Sequence, residues 1–230
     1  MKKTYLIILF SSSLPVFAQE PDPYHVLELV KNKYDRITDY TVNAEIIVDI
    51  DLIKIPEKNA IVYYKAPDKY RFKSEGFIMI PKKGLNFSIL ELISNPFTAI
   101  YDGTIELNGK NVHELKIIPK DRNGDLVLAT LWIDSLSSFI ERVEANTRRS
   151  GSYVIDLKYD RKSSLPLPDE IRITFEVEKL RFPLKFIGNV NIDTPVSEMP
   201  DQATVTIKYT EYKVNTGLKD EIFNENPQRP

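Results

Sequence analysis

The 230-residue chain contains no cysteine. This excludes a disulfide framework, a thiol nucleophile and the cysteine-linked acyl anchor of bacterial lipoproteins, so the fold has to rest on one sizeable apolar core. Histidine is nearly as scarce. His25 falls on the first predicted helix and His113 beside a strand, neither with a partner at metal-ligand spacing, and both read as ordinary surface or satisfied residues. No metal or cofactor is expected. Neither sign of charge dominates, with 31 Lys and Arg against 33 Asp and Glu, and the cations are not segregated from the acids. Nucleic acid, whose phosphates demand clustered cations, is therefore not expected as a partner. No glycine-rich loop follows a strand, and no serine occupies a Gly-x-Ser-x-Gly elbow. Residues 121–125, Asp-Arg-Asn-Gly-Asp, imitate the start of a calcium loop, but Leu126 stands where its glycine belongs and Trp132 where its glutamate belongs. That stretch reads as a hairpin turn, and the chain as a non-enzyme.

What is present begins with an export signal. Lys2 and Lys3, an apolar stretch from Tyr5 that thins out toward Phe17, and Val16-Phe17-Ala18 as a cleavage site place the mature N-terminus at Gln19. Ser11, Ser12, Ser13 and Pro15 interrupt a stretch already too short to span a bilayer. Residues 1–18 are thus expected to be removed, leaving 19–230 as one soluble domain. Losing Lys2 and Lys3 moves the formal charge from −2 to −4.

Asp22 and Pro23 form a helix start, acid as N-cap and proline at the first helical position. Leu27, Val30, Tyr34 and Ile37 recur at helical spacing, which predicts an amphipathic helix over 23–37. Period-two patterns follow at once. Val42, Ala44, Ile46, Val48 and Ile50 alternate with mostly polar neighbours, and so do Ile155, Leu157 and Tyr159, then Ile171, Ile173, Phe175 and Val177, then Val205, Ile207 and Tyr209. Asp102-Gly103, Asn108-Gly109 and Asn123-Gly124 are hairpin signals between such runs. Long βαβ crossovers are missing, so the sheet is antiparallel, with about nine to eleven strands. Residues 86–95 read as a short second helix with Phe87 and Leu90 turned inward. Residues 182–203, rich in proline, read as a strand or hairpin followed by a loop.

Residues 61–72, Ile-Val-Tyr-Tyr-Lys-Ala-Pro-Asp-Lys-Tyr-Arg-Phe, form a β-corner: Pro67 fixes its own φ, Asp68 serves the turn, and Tyr70 and Phe72 land on one face with Arg71 and Lys73 on the other. A twisted antiparallel sheet of this width curls, and its concave face must be filled or covered. Two helices cover only stripes of it. The interior is either filled by long aromatic side chains or left partly open to an apolar guest.

The order of these features resembles the LolA-like periplasmic carriers: an export signal, an N-terminal amphipathic helix, a long first strand, a Lys-x-Pro corner with aromatic alternation (Lys65, Pro67, Tyr70, Phe72), a late Trp132-Ile133-Asp134 strand, and a closing Tyr209-x-x-Tyr212-Lys213-Val214-Asn215 segment. The resemblance covers residues from about Tyr24 to Phe223. It implies an α+β fold, a strongly curved antiparallel sheet or incomplete β-barrel with helices covering its concave face. It also implies a periplasmic carrier that holds acyl chains of lipoproteins or other lipids in a hydrophobic cavity, for transfer from an inner-membrane donor toward an outer-membrane acceptor. Relatives that act as regulators imply the alternative of a lipid-sensing module working through a membrane protein. LolA proper carries an arginine directly before the corner proline, which latches the lid; here that position is Ala66. The Asp-Gly-Lys segment typical of LolA is also absent after Arg71. The chain therefore reads as a diverged branch.

Candidate lipid-binding residues are apolar: Val42, Ala44, Ile46 and Val48 on the first long strand, Tyr70 and Phe72 after the corner, Phe87 and Leu90 on the predicted lid, and Ile173 and Phe175 late in the chain. Plain core packing is the competing role for each of them.

Overall fold

The computed structural model describes residues 20–50, 53–54, 56–74, 92–93, 95–121, 123–149, 151–159, 164–176 and 202–224. Helix α1 spans Pro23–Tyr34, and the Asp22 carboxylate accepts a hydrogen bond from the Tyr24 amide at 3.0 Å, as the cap predicts. The helix stops short of the expected Ile37. Asp35 turns the chain, the Ile37 amide donates to the Tyr34 carbonyl, and Ile37 is buried in a separate small cluster with Tyr64 and Leu167. Its apolar side chain served the packing of the turn, which periodicity alone cannot distinguish from one more helical turn.

Eleven strands follow among the described residues: β1 Asp39–Ile50, β2 Ile53–Lys54, β3 Lys58–Lys65, β4 Lys69–Ser74, β5 Phe97–Leu107, β6 Lys110–Pro119, β7 Leu126–Asp134, β8 Ile140–Thr147, β9 Ser152–Lys158, β10 Glu170–Glu176 and β11 Gln202–Val214. A short helix, α2, spans Glu221–Asn224. Ten strands form one antiparallel path in the order β4-β3-β1-β11-β10-β9-β8-β7-β6-β5, with β2 pairing only β1. The sheet is curved and open, an incomplete barrel. Its first long strand lies beside its last: Ala44 faces Tyr209, and Val48 faces Val205.

Asn108-Gly109 is the tight turn expected of it, joining β5 to β6 with φ of 53° and 76°. Asp102-Gly103 is not a hairpin. Gly103, at φ 129°, lies inside β5 where the pairing with β6 shifts register between Tyr101 and Gly103. Its freedom at positive φ is spent on a bulge rather than a turn. Asn123-Gly124 does fall in the β6–β7 connection, where the Asp121 carboxylate accepts from the Asn123 amide. Most of 86–95, with Phe87 and Leu90, and all of 182–201 lie outside the described residues. Leu92 and Ile93 are helical and pack on the main core.

Candidate functional site

Alternation puts one side chain in two onto a common face, and the register carries that face across the sheet. One row runs Val48, Val205, Ile173, Ile155, Val143, Leu131, Leu115, Tyr101 through β1, β11, β10, β9, β8, β7, β6 and β5. The next runs Ala203, Phe175, Tyr153, Ala145, Ala129, Ile117, Ala99. On the other flank, Tyr40, Val42 and Ala44 face Tyr64, Val62 and Ala60, and Tyr64 and Val62 face Tyr70 and Phe72. Thus Val42, Ala44, Ile46, Val48, Tyr70, Phe72, Ile173 and Phe175 all share one apolar face.

Helix α1 lies on that face over one half of the sheet. Val26, Leu27 and Val30 join a core with Leu115, Ile117, Leu131, Ile133 and Val143. Tyr24 stacks on Phe97, and its hydroxyl accepts from the Ala99 amide at 3.3 Å. Under this cover Leu115, Leu131 and Val143 are fully buried, whereas Ile173 is 9% exposed and Phe72 39%. Val48, Val205 and Phe175 are only half-buried. On the β1–β11 side Val42, Ala44, Ile46 and Ile207 belong to a second buried cluster, and partial exposure there is found at Val48, Val205 and Phe175, and on β4 at Phe72. Helix α2 sits on the opposite side of the β3–β4 hairpin: Lys65 Nζ donates to the Leu218 carbonyl at 2.8 Å and Asp220 at 2.7 Å, and the Arg71 guanidinium donates to the Ile222 carbonyl. Of the helices expected over the apolar face, α1 is the one seen there among the described residues; the predicted second helix lies mostly outside them.

One end of the face is built of tyrosine. Tyr40 lies 5.0 Å from Tyr64 and 5.7 Å from Tyr212 between ring centroids, Tyr64 lies 4.8 Å from Tyr70, and Tyr209 lies 5.9 Å from Tyr212. Tyr209 and Tyr212, three residues apart, would face opposite sides of a regular strand. Glu211, at φ 57°, inserts a bulge where the register with β1 shifts, and both rings turn inward. Tyr34, from the end of α1, bonds the Tyr159 hydroxyl. Burial pushes the Tyr34 hydroxyl up to about 12 and holds Tyr40, Tyr64, Tyr70, Tyr159, Tyr209 and Tyr212 above the ordinary tyrosine range. The Tyr64 hydroxyl donates to the Pro67 carbonyl at 3.3 Å, across the cis Ala66–Pro67 corner, and Tyr212 to the Pro168 carbonyl at 2.8 Å.

Behind this end, Asp39 is buried and accepts from the Thr216 and Gly217 amides and from the Thr216 and Thr38 hydroxyls. Burial alone would raise its pKa, but these donors outweigh burial and hold it below the ordinary carboxylate range. His113 contacts the Tyr101 and Thr104 hydroxyls at 3.2 and 3.3 Å, and burial lowers its pKa. Among the described residues no cluster of His, Asp and Glu could hold a metal ion. The tyrosine end was not predicted as a unit. Its signal was partial, because Tyr40, Tyr64 and Tyr209 follow the alternation while Tyr34 and Tyr212 enter through a helix end and a bulge.

A ten-strand antiparallel open sheet, curved, with an N-terminal helix on its apolar face, is the LolA-like fold. A DUF1329 family protein from Desulfovibrio piger superposes with a TM-score of 0.60 at 10% identity, covering 88% of this chain and 98% of the other. A putative outer membrane lipoprotein-sorting protein domain from Vibrio parahaemolyticus gives 0.52 at 13% identity, covering 88% and 97%, and a LolA superfamily protein from Nitrosomonas europaea gives 0.54 at 10%, covering 90% and 99%. No protein-family model and no curated protein matches the sequence. At such identities the likeness is one of fold, and function has to be argued from the site.

Proposed function

We propose that this chain is a periplasmic carrier that takes acyl chains of lipoproteins or other lipids against the apolar face of its curved sheet and passes them toward the outer membrane. Residues 1–18 act as a cleaved export signal in this reading, and 19–230 as one domain, handed cargo by an inner-membrane donor and relieved of it by an outer-membrane acceptor. The observation that carries it is a partly exposed patch on a face otherwise buried: Leu131 and Leu115 are fully enclosed, yet Val205, Val48, Phe175 and Phe72 on the same face remain partly exposed. A core needs no such patch, while a carrier needs an apolar surface that is available but unfinished. In this reading the apolar face is the concave one and Val42, Ala44, Ile46, Val48, Tyr70, Phe72, Ile173 and Phe175 line it, and Phe87 and Leu90, which lie outside the described residues, belong to the same binding set.

Energetics favour partial enclosure. Each buried CH₂ contributes about 0.8 kcal/mol, so several fully enclosed acyl chains would not leave on any useful timescale. Lipid extracted from protein purified out of the periplasm and identified by mass spectrometry tests the reading. Stoichiometric acyl lipid, together with saturable binding of a fluorescent fatty-acyl probe, is the expected result. Repeated preparations without lipid and without probe binding would sink it.

A further inference from the structure

Among the described residues the sheet ends at β4 on one side and β5 on the other, and the two edges are protected differently. At β4 the edge strand carries Lys69, Arg71 and Lys73, and the chain after β11 lies against it through the bonds from Lys65 and Arg71 and the Lys69–Asp220 pair. Charged side chains and a covering segment are ordinary means of keeping a foreign strand off an edge. The first half of β5 has neither. Residues 97–101 contain no charge and no proline, and among the described residues β5 pairs only with β6. Beyond Tyr101 the bulge at Gly103 re-aims the strand, and Asp102 and Glu106 add charge.

The hydrogen bonds show which backbone groups of that half face outward. In an antiparallel pair, residues alternate between those that bond the neighbouring strand and those that point away from it. The Lys120 amide donates to the Pro96 carbonyl and the Ala99 amide to the Tyr24 hydroxyl at 3.3 Å, so Pro96, Thr98 and Ile100 serve β6 while Phe97, Ala99 and Tyr101 turn their N–H and C=O groups to the edge. Pro119, opposite Phe97, fits this phase because it has no amide to give. The middle outward amide thus already has an acceptor. Tyr24 places a side-chain oxygen where the carbonyl of a neighbouring strand would lie, and its ring, 5.7 Å from that of Phe97 and 19° from parallel, closes over the same stretch.

We propose that Tyr24 guards this edge, and that the strand it keeps away is β5 of a second copy of this chain. Residues 97–101 are self-complementary. Paired antiparallel about a two-fold axis at Ala99, two copies would exchange bonds through the outward groups of Phe97, Ala99 and Tyr101, set each Phe97 beside the other copy's Tyr101, and bring no like charges face to face. On the face away from α1, Thr98 would meet Ile100 of the other copy. Ile100 and Ile118, now 45% and 41% exposed, would then join their counterparts in one apolar strip. Because Tyr24 sits in the first turn of α1, the helix that covers part of the apolar face also closes the edge beside it. The guard does not depend on what the cargo is.

Sedimentation equilibrium of protein purified from the periplasm tests it over about 5 to 500 µM, since association follows mass action. The native chain should keep its monomer mass throughout, and Tyr24→Ala should rise toward twice that mass. Adding Ile100→Lys to Tyr24→Ala should return it to the monomer, because a lysine on an edge strand opposes strand addition. A native dimer, a folded Tyr24→Ala variant that stays monomeric, or association that survives Ile100→Lys overturns the proposal. Thermal unfolding checks that each variant is folded. Amide hydrogen exchange gives a second reading that does not need Tyr24→Ala to fold. In the native protein the Ala99 amide should exchange more slowly than those of Phe97 and Tyr101, and Tyr24→Phe, which keeps the ring, should speed it by about threefold to tenfold, the worth of one hydrogen bond. An Ala99 amide as fast as those two, or one unmoved by Tyr24→Phe, overturns the guard as well.

Discussion

Asp39 shows how much one buried carboxylate can hold. It joins Thr38 at the entry of β1 to Thr216 and Gly217 beyond the end of β11, and Asn215 completes the tie by donating to the Arg36 carbonyl and accepting from the Thr38 amide. Asp39→Ala leaves several donors unsatisfied and should cost about 2–3 kcal/mol in urea unfolding at pH 7. Because its folded pKa is depressed, its contribution is complete above the ordinary carboxylate pKa and is lost as pH falls through the folded value. The stability gap between Asp39→Asn and the native protein should therefore shrink in unfolding curves taken below about pH 4. Tyrosine has the opposite sign. With Tyr34 and Tyr153 raised to about 12, the unfolded chain ionises first, so their stabilisation is intact below about pH 10 and disappears on going to about 12. Absorbance of tyrosinate followed against pH should show these groups titrating late and together with unfolding, not at the ordinary value.

At the scale of elements, the strands were the legible part. Alternation in 42–50, 155–159 and 171–175 translates directly into β1, β9 and β10, because one face is covered and the other wet. What alternation could not carry was the place where it breaks. The bulges at Gly103 and Glu211 re-aim the residues after them, and neither leaves a mark that separates it from a turn or a regular strand. Hence the apolar face was predicted from Val42 to Val48 and from Ile173 to Phe175, whereas the contribution of Tyr212 became visible only with the register. Deleting Glu211 should remove the bulge yet leave Tyr212 two positions after Tyr209 and so still on the inward face, and the variant should keep most of its stability in urea unfolding. Helix α1 was legible from its cap and its stripe. Leu27→Ala should cost about 2–4 kcal/mol in thermal or urea unfolding, since Leu27 is almost wholly enclosed against the sheet.

At the scale of the molecule, the proposed carrier role gives the partly exposed and the sealed parts of the apolar face different tasks, and substitutions should separate them. Val205→Lys, on the half-exposed side, is expected to lower acyl-probe affinity at least tenfold while shifting unfolding by less than about 1 kcal/mol; Leu131→Lys, on the sealed side, should prevent folding altogether. Measuring probe binding and unfolding on the same preparations distinguishes the two. The pairing of β1 with β11 has a further consequence, for time rather than space. Thr38 and Asn215 meet across 177 residues of chain, and β1 cannot acquire its second neighbour until β11 has been delivered. The meander from β5 to β10 can form from local hairpins as it appears, but the step that joins it to β1, β3 and β4 comes last and pays the longest loop-closure entropy. A chain built this way stays unfinished until its final strand is available, so its sheet closes up only after almost the whole sequence has been made.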